Sequence, residues 1–160
     1  MAKKKQSGQK EGVKVAAINK KARRDYEILA TWEAGLQLVG SEVKSIREGS
    51  VNLKESYVRE IKGELFLIGC HISAYSHQAL DGHETLRERK LLLHKREIEI
   101  LGSSTQKKGL TIVPLRLYFK NGRCKLEIGT GRGRKLHDKR QVEKSKQADR
   151  QIERAMKKYS

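Results

Sequence analysis

The chain has 160 residues and a formal net charge of +17, with 36 Lys and Arg, one proline, two cysteines and 5% aromatic residues. That length fits one domain able to bury a core, and the Val, Ile and Leu of its middle argue against wholesale disorder. Cys70 and Cys124 suit free thiols in a reducing compartment better than a disulfide framework, and the basic N-terminus lacks the apolar run of a signal peptide or membrane span, so a cytoplasmic protein is expected.

The charge is uneven. Residues 1–24 carry +8 and residues 130–160 carry +7, whereas the stretch between them carries only +2. A near-neutral body with two basic ends points to a polyanionic partner, because clustered Lys and Arg release condensed counterions from phosphates. The division that follows is a basic arm over 1–14, a folded body over 15–130 and a basic tail over 131–160.

In chain order, the first strands are expected at Tyr26 to Trp32 and at Gly35 to Val39. A short helix follows from Ser41 to Glu48, capped by Ser41, with Val43 and Ile46 on one side and Gly49 as its stop. Tyr57 to Ile68 reads as a hairpin turning at Lys62-Gly63, and the polar stretch from Ser73 to Glu88 as a loop. A second helix is expected from about Leu91 to Leu101, ending at Gly102, with Leu91, Leu93, Ile98, Ile100 and Leu101 on one half of its circumference.

The clearest local signal is Leu115 to Ile128, where Asn121-Gly122 supplies the two positive φ angles of a tight hairpin turn. That turn pairs Phe119 with Cys124, Leu117 with Leu126 and Leu115 with Ile128 on one apolar face. The opposite face then carries Arg116 with Glu127, Tyr118 with Lys125 and Lys120 with Arg123, a basic surface with one aromatic ring suited to nucleic acid. Short alternating strands of this kind suggest a closed or partly closed antiparallel barrel, mainly β, with two to three added helices. Beyond Gly129 the pattern fades: Gly131 and Gly133 read as a flexible exit. The stripe of Ile152, Ala155, Met156 and Tyr159 is too thin to hold a helix over Glu143 to Lys158 without a partner.

Catalysis finds no support in the pattern. Cys70, His71, His77, His83 and His94 are scattered, His137 and Asp138 lie in the tail, and no CxxC or HExxH spacing is present, so no metal and no cofactor is expected. A general RNA-binding or ribosomal protein built on the same barrel remains the alternative to a dedicated RNA partner.

Several motifs occur together and in order: Asn19-Lys-Lys-Ala-Arg-Arg-Asp-Tyr26, Glu33-Ala-Gly35, Gly40-Ser-Glu-Val-Lys-Ser-Ile-Arg47, Arg89-Lys-Leu-Leu-Leu-His94, Leu117-Tyr-Phe-Lys-Asn-Gly122 and Lys135-Leu-His-Asp-Lys-Arg140. From about residue 13 onward the chain resembles the bacterial SsrA-binding protein family (small protein B, SmpB). The resemblance implies an OB-like barrel and a monomer without enzymatic activity that binds transfer-messenger RNA (tmRNA, the SsrA RNA) for trans-translation. It further implies elongation factor Tu and alanyl-tRNA synthetase as partners acting through that RNA. The ribosome is implied too: a tail disordered alone becomes helical in the small subunit's empty mRNA channel, at the decoding centre. Carried over position by position, the resemblance gives Asn19, Lys20, Arg23, Glu33, Lys90, Leu91 and Lys125 to the RNA, with Asn19 and Glu33 facing bases or 2′-hydroxyls. It gives Gly133, Arg134, Lys135, His137, Asp138, Lys139 and Arg140 to the ribosome. One departure is Arg134, which stands where the family's Gly-Lys-Lys motif has lysine. The residues alone leave Glu33 open to a second role, a cross-strand salt bridge to a lysine.

Overall fold

A computed structural model describes residues 12–75 and 83–159, with the side chains of 136–138, 158 and 159 outside the description; His77 also lies outside it. Strands β1 (Val13–Ile18), β2 (Tyr26–Leu36), β3 (Val51–Asn52), β4 (Tyr57–Ile61), β5 (Glu64–Ile68), β6 (His71–Ile72), β7 (Arg89–Leu92), β8 (Thr111–Lys120) and β9 (Arg123–Gly133) alternate with helices α1 (Lys20–Asp25), α2 (Gly40–Arg47), α3 (Lys95–Lys108) and α4 (Leu136–Tyr159). The main sheet runs β1-β8-β4-β5-β7-β2-β9, and β9 pairs back onto β8, so the strands from β8 round to β9 close on themselves. All these pairings are antiparallel. The expected antiparallel barrel is present, and it fills with Leu65, Leu67, Leu91, Ile112, Leu117, Leu126 and Ile128.

Both anticipated hairpins form, and the reason read for Asn121-Gly122 holds at Lys62-Gly63 as well. Lys62 and Gly63 at φ 51° and 77°, and Asn121 and Gly122 at φ 52° and 74°, occupy the left-handed region that a two-residue turn needs to match strand twist. Phe119 faces Cys124, Leu117 faces Leu126, Arg116 faces Glu127, Tyr118 faces Lys125 and Lys120 faces Arg123. The last expected pair fails: Ile128 faces Pro114, and Leu115 is an extra residue between two paired positions. Proline explains the bulge. Lacking an N–H, Pro114 is tolerated within a ladder where pairing is already broken. Leu115 joins a small second cluster with Ala22 and Val113.

The structure corrects four further boundaries. Tyr26 to Leu36 is one strand, not two, with a bulge between Ile28 and Ala30. The first expected helix starts at Gly40 with Val39 as its N-cap; Glu42 accepts from the Val39 N–H at 3.0 Å, and Ser41 bonds His83 instead of capping. The expected helix from Leu91 breaks into two elements. Arg89 to Leu92 is a strand, and the helix begins at Lys95, holds Gly102 buried within it and stops at Gly109, whose φ of 63° makes the left-handed cap.

The fourth correction concerns the tail. β9 continues to Gly133 because Gly131 and Gly133 pair with Ile28 and Tyr26, so these glycines are strand residues rather than a flexible exit. Close packing explains the choice of residue: a Cβ on Gly131 would sit 2.7 Å from the Glu27 carbonyl oxygen. Replacing Gly131 with alanine is expected to cost about 1–3 kcal/mol, as overpacking against fixed backbone does, read as a lower midpoint in chemical denaturation. Beyond the strand, residues 136–159 form a single helix starting seven residues before Glu143. Its first turns dock through ion pairs rather than through the thin apolar stripe.

Candidate nucleic-acid interface

The bulge at Leu115 builds the first part of the site. It frees two carbonyls of β8, and Asn19 takes both, its N–H donating to Leu115 O at 2.8 Å and its side-chain amide to Pro114 O at 2.9 Å. The same amide donates to Leu53 O at 3.3 Å while its oxygen accepts from Ala22 N at 3.1 Å, capping α1. Asn19 is therefore buried and fully engaged, so it sets the position of α1 rather than offering its amide to a base. This corrects its expected role. Asn19→Ala removes a helix cap and leaves two carbonyls without a donor, and a loss of about 1–3 kcal/mol is expected in thermal or denaturant melting. Asn19→Asp keeps the cap acceptor but turns a carboxylate oxygen toward the Pro114 and Leu53 carbonyls, so it is expected to destabilise at least as much.

Seated this way, α1 presents Lys20 and Arg23 outward, both exposed. Arg23 Nη2 lies 3.2 Å from Glu127 Oε1, and Arg116 Nη2 lies 3.2 Å from Glu127 Oε2, so one carboxylate holds two guanidinium groups in place at the sheet face. Beside them Glu33 accepts from the Tyr118 hydroxyl and pairs with Lys120 at 3.4 Å. The Tyr118 hydrogen bond and the nearby Lys120 and Lys125 hold the Glu33 carboxyl below the usual carboxylate range, against its partial burial. Glu33 is thus ionised and already bonded across strands, as the salt-bridge alternative had it, though still exposed. Burial, then the Glu33 bond, push the Tyr118 phenol up. The Arg116 guanidinium lies over its ring at 4.9 Å, and Tyr118 is only 4% exposed. The one aromatic of this face is covered and does not offer a free stacking platform.

The other expected contacts divide. Lys125, opposite Tyr118, joins this face. Lys90 is half-buried on β7 and pairs with Glu64 at 2.9 Å. Leu91 is 1% exposed within the barrel, because strand alternation turns it inward; as a strand residue it cannot share the outward face with Lys90. Its expected RNA contact is withdrawn on that ground.

At the tail, Gly133 ends β9, and Arg134 donates its N–H to Asp25 O at 2.7 Å while its side-chain Nε is buried without a partner. Lys135 and Arg140 are exposed. Lys139 Nζ lies 3.6 Å from Asp25 Oδ1, and Arg24 Nη1 lies 3.3 Å from Glu143 Oε1, so α1 anchors the start of α4. His137 and Asp138 sit in the first turn, with side chains outside the described set.

Residues with chemical potential elsewhere do not converge. Both nitrogens of His83 are engaged, Nδ1 with the Ser41 hydroxyl and Nε2 with Ile72 O, each at 2.8 Å. Burial pushes the Cys70 thiol up to about 11 and the Cys124 thiol up to about 12, so neither is a ready nucleophile. No helix among the described residues is long and apolar enough to cross a membrane. Sequence reading missed α1 as a helix and the buried pair Arg89–Glu42; a fully buried Arg has no distinguishing sequence signal.

A closed barrel with a cationic face, joined to a cationic helix, is the arrangement of a barrel protein suited to a polyanionic partner such as RNA. The family profile described as SmpB protein matches residues 16–158. The SsrA-binding protein of Geobacillus thermodenitrificans is 55% identical over 142 residues, covering 89% of this chain and 92% of that relative. Its counterpart in Thermosynechococcus vestitus is 53% identical over 148 residues, covering 92% and 97%. A solved structure described as "tmRNA-SmpB: a journey to the center of the bacterial ribosome" is 45% identical, covers 75% of this chain and 85% of its own, and superposes with a TM-score of 0.64. The chain belongs to the SmpB family.

Proposed function

We propose that the protein binds tmRNA and brings it to ribosomes stalled on messages without a stop codon. The sheet face and α1 hold the tRNA-like part of that RNA, through Lys20, Arg23 and Lys125 on phosphates and Glu33 on a base or 2′-hydroxyl. Charged elongation factor Tu complexes and alanyl-tRNA synthetase act on the assembly through the RNA. The segment from Gly133 through Arg134, Lys135, His137, Asp138, Lys139 and Arg140 meets the decoding centre, and the rest of α4 occupies the vacant mRNA channel, so that translation resumes on the tagging template.

One observation carries this reading: the similarity to SsrA-binding proteins spans the barrel and the basic helix as one unit, residues 16–158. A barrel that gripped any RNA would need only the first part. Purified protein is expected to hold a transcript of the tRNA-like domain against an excess of unrelated single-stranded RNA at moderate salt, and Arg23→Glu is expected to weaken that binding. Equal displacement by unrelated strands would return the protein to the general RNA-binding class.

A further inference from the structure

Two carboxylates lie side by side in the middle of the cationic sheet face. Glu33 on β2 is paired directly with Glu127 on β9, and Arg116 on β8 faces Glu127 from the other side. Like charges opposite each other on neighbouring strands cost stability, so a face that had only to attract phosphate would gain by losing one of them. We propose that Glu127 is a specificity-determining residue of the RNA-binding face. It fixes two arginines at the rim and keeps the centre negative, so the face takes a folded RNA with phosphates at set positions and disfavours an extended strand laid across it. This rests on the proposed function and deepens it at the same site.

The oxygens of Glu127 are divided between two elements, Oε1 to Arg23 Nη2 of α1 and Oε2 to Arg116 Nη2 of β8, each at 3.2 Å. The anion is sunk and its cations stand out: the Glu127 side chain is 21% exposed, against 50% for Arg23 and 39% for Arg116. An incoming RNA therefore meets the guanidinium groups first. Arg116 is constrained a second time, because it lies 4.9 Å from the centre of the Tyr118 ring, whose hydroxyl donates to Glu33. Glu33 in turn holds Lys120 at 3.4 Å. From Arg23 to Lys120 these side chains form one connected row across α1, β9, β8 and β2, with Glu127 as its link to the helix.

Two physical effects follow. Arginines already held lose their freedom in the folded protein rather than on binding, which favours a ligand whose phosphates fall at the matching positions. A flexible single strand gains little from fixed positions, since it adapts to wherever positive charge stands. The negative centre also treats the two ligands differently. It repels a backbone that must cross it, whereas a folded RNA can bridge from rim to rim with a base or hydroxyl donor over the carboxylates. Glu127 thus lowers total attraction and raises selectivity.

Full-length Glu127→Gln, which keeps the shape and removes the charge, tests this with two probes, a transcript of the tRNA-like domain and a single-stranded oligouridine. Transcript affinity is expected to fall about tenfold, the order set by immobilising two long side chains on binding, while oligouridine affinity rises about twofold to threefold at low salt. Glu99→Gln, the same charge change on an exposed position of α3, should move either probe by less than about twofold. The melting temperature of Glu127→Gln should stay within about 4 °C of wild type, as partly exposed ion pairs permit. Adding Glu127→Gln to a protein that already carries Arg23→Ala and Arg116→Ala should cost no further transcript affinity, because Glu127 acts through those arginines. Stronger binding of both probes by Glu127→Gln would overturn the assignment in favour of bulk charge. Weaker binding of both would overturn it in favour of a role in the fold, and unchanged transcript affinity, or a further loss without the two arginines, would overturn it as well. A wild-type protein that prefers neither probe would overturn the proposed function itself, which the other reversals leave standing.

Discussion

Replacing Arg89 with alanine is expected to be the most damaging single change in the barrel, lowering stability by about 3–5 kcal/mol. Arg89 is a fully buried residue whose Nε lies 2.5 Å from Glu42 Oε2 and whose Nη1 lies 2.6 Å from Cys70 O, with Nη2 reaching Thr85 O at 3.2 Å. Glu42 is equally buried and takes a second cation, Arg87, at 2.5 Å. This node ties α2, β7 and the chain around β6 together by charge and hydrogen bonds, beside the apolar cluster to which Ile46, Leu91 and Ile72 of the same elements belong. Removing Arg89 leaves a buried carboxylate whose remaining partners are the partly exposed Arg87 and the Val39 N–H, and under-compensated buried charge is what makes such losses large. At roughly 2–4 °C per kcal/mol for a chain of this size, the melting temperature should fall on the order of 10 °C.

The same node sets a pH dependence whose sign follows from the direction of the shift. Burial alone raises the Glu42 carboxyl, but hydrogen bonds from Arg87, the Val39 N–H and Arg89 outweigh it and hold the group below its usual range. A carboxyl depressed in the folded state contributes stability above its unfolded value, near 4.3, and loses it as pH falls through the folded value. Wild-type protein should therefore lose melting temperature on acidification below about pH 4.3. Glu42→Gln should start lower at neutral pH and lose less over that interval. Parallel melting curves for the two proteins from pH 6 to pH 3 would remove Glu42 as the source.

That node marks the limit of what the sequence discloses. Lys62-Gly63 and Asn121-Gly122 announce their hairpins because only a turn requires two positive φ angles in a row, and alternation then decides every facing pair up to Pro114. The barrel follows from those hairpins. Where reading fails, two physical codes overlap: Arg89 to Leu101 contains a strand and a helix joined near Leu93 and His94, and a single helical wheel drawn across the join makes a helical stripe out of Leu91, a strand residue. Asn19 fails for a different reason. Its side chain suits a base edge and a helix cap equally well, and the bulge that decides between them depends on a proline 95 positions away. The candidate site was legible as charge on α1 and on the hairpin face, whereas the burial of Leu91 and Asn19 and the covering of Tyr118 by Arg116 needed the fold.

Cutting the chain after Lys135 is expected to abolish peptide tagging on stalled ribosomes while leaving affinity for the tRNA-like transcript within about twofold, since the proposed phosphate contacts of Lys20, Arg23 and Lys125 all lie on the body. The place of the cut decides whether the experiment is interpretable. A cut after Thr130 looks natural from composition, because the basic tail begins there, but it removes Gly131, Arg132 and Gly133, which pair with Ile28, Glu27 and Tyr26. Lost ladder hydrogen bonds at about 1 kcal/mol each should then cost the barrel roughly 2–3 kcal/mol. β2 also carries Glu33, so RNA binding would suffer along with the fold. The protein ending at Lys135 keeps the whole of β9 and the Arg134 N–H bond to Asp25, and loses only α4 with its pairs to Arg24 and Asp25. Its melting temperature should stay within about 2–4 °C of wild type, the shift of roughly 1 kcal/mol that exposed ion pairs permit. Tagging lost at unchanged transcript affinity and unchanged melting separates the labour of body and helix; equal loss of binding and tagging by the longer protein would show that α4 is part of the tRNA-like grip.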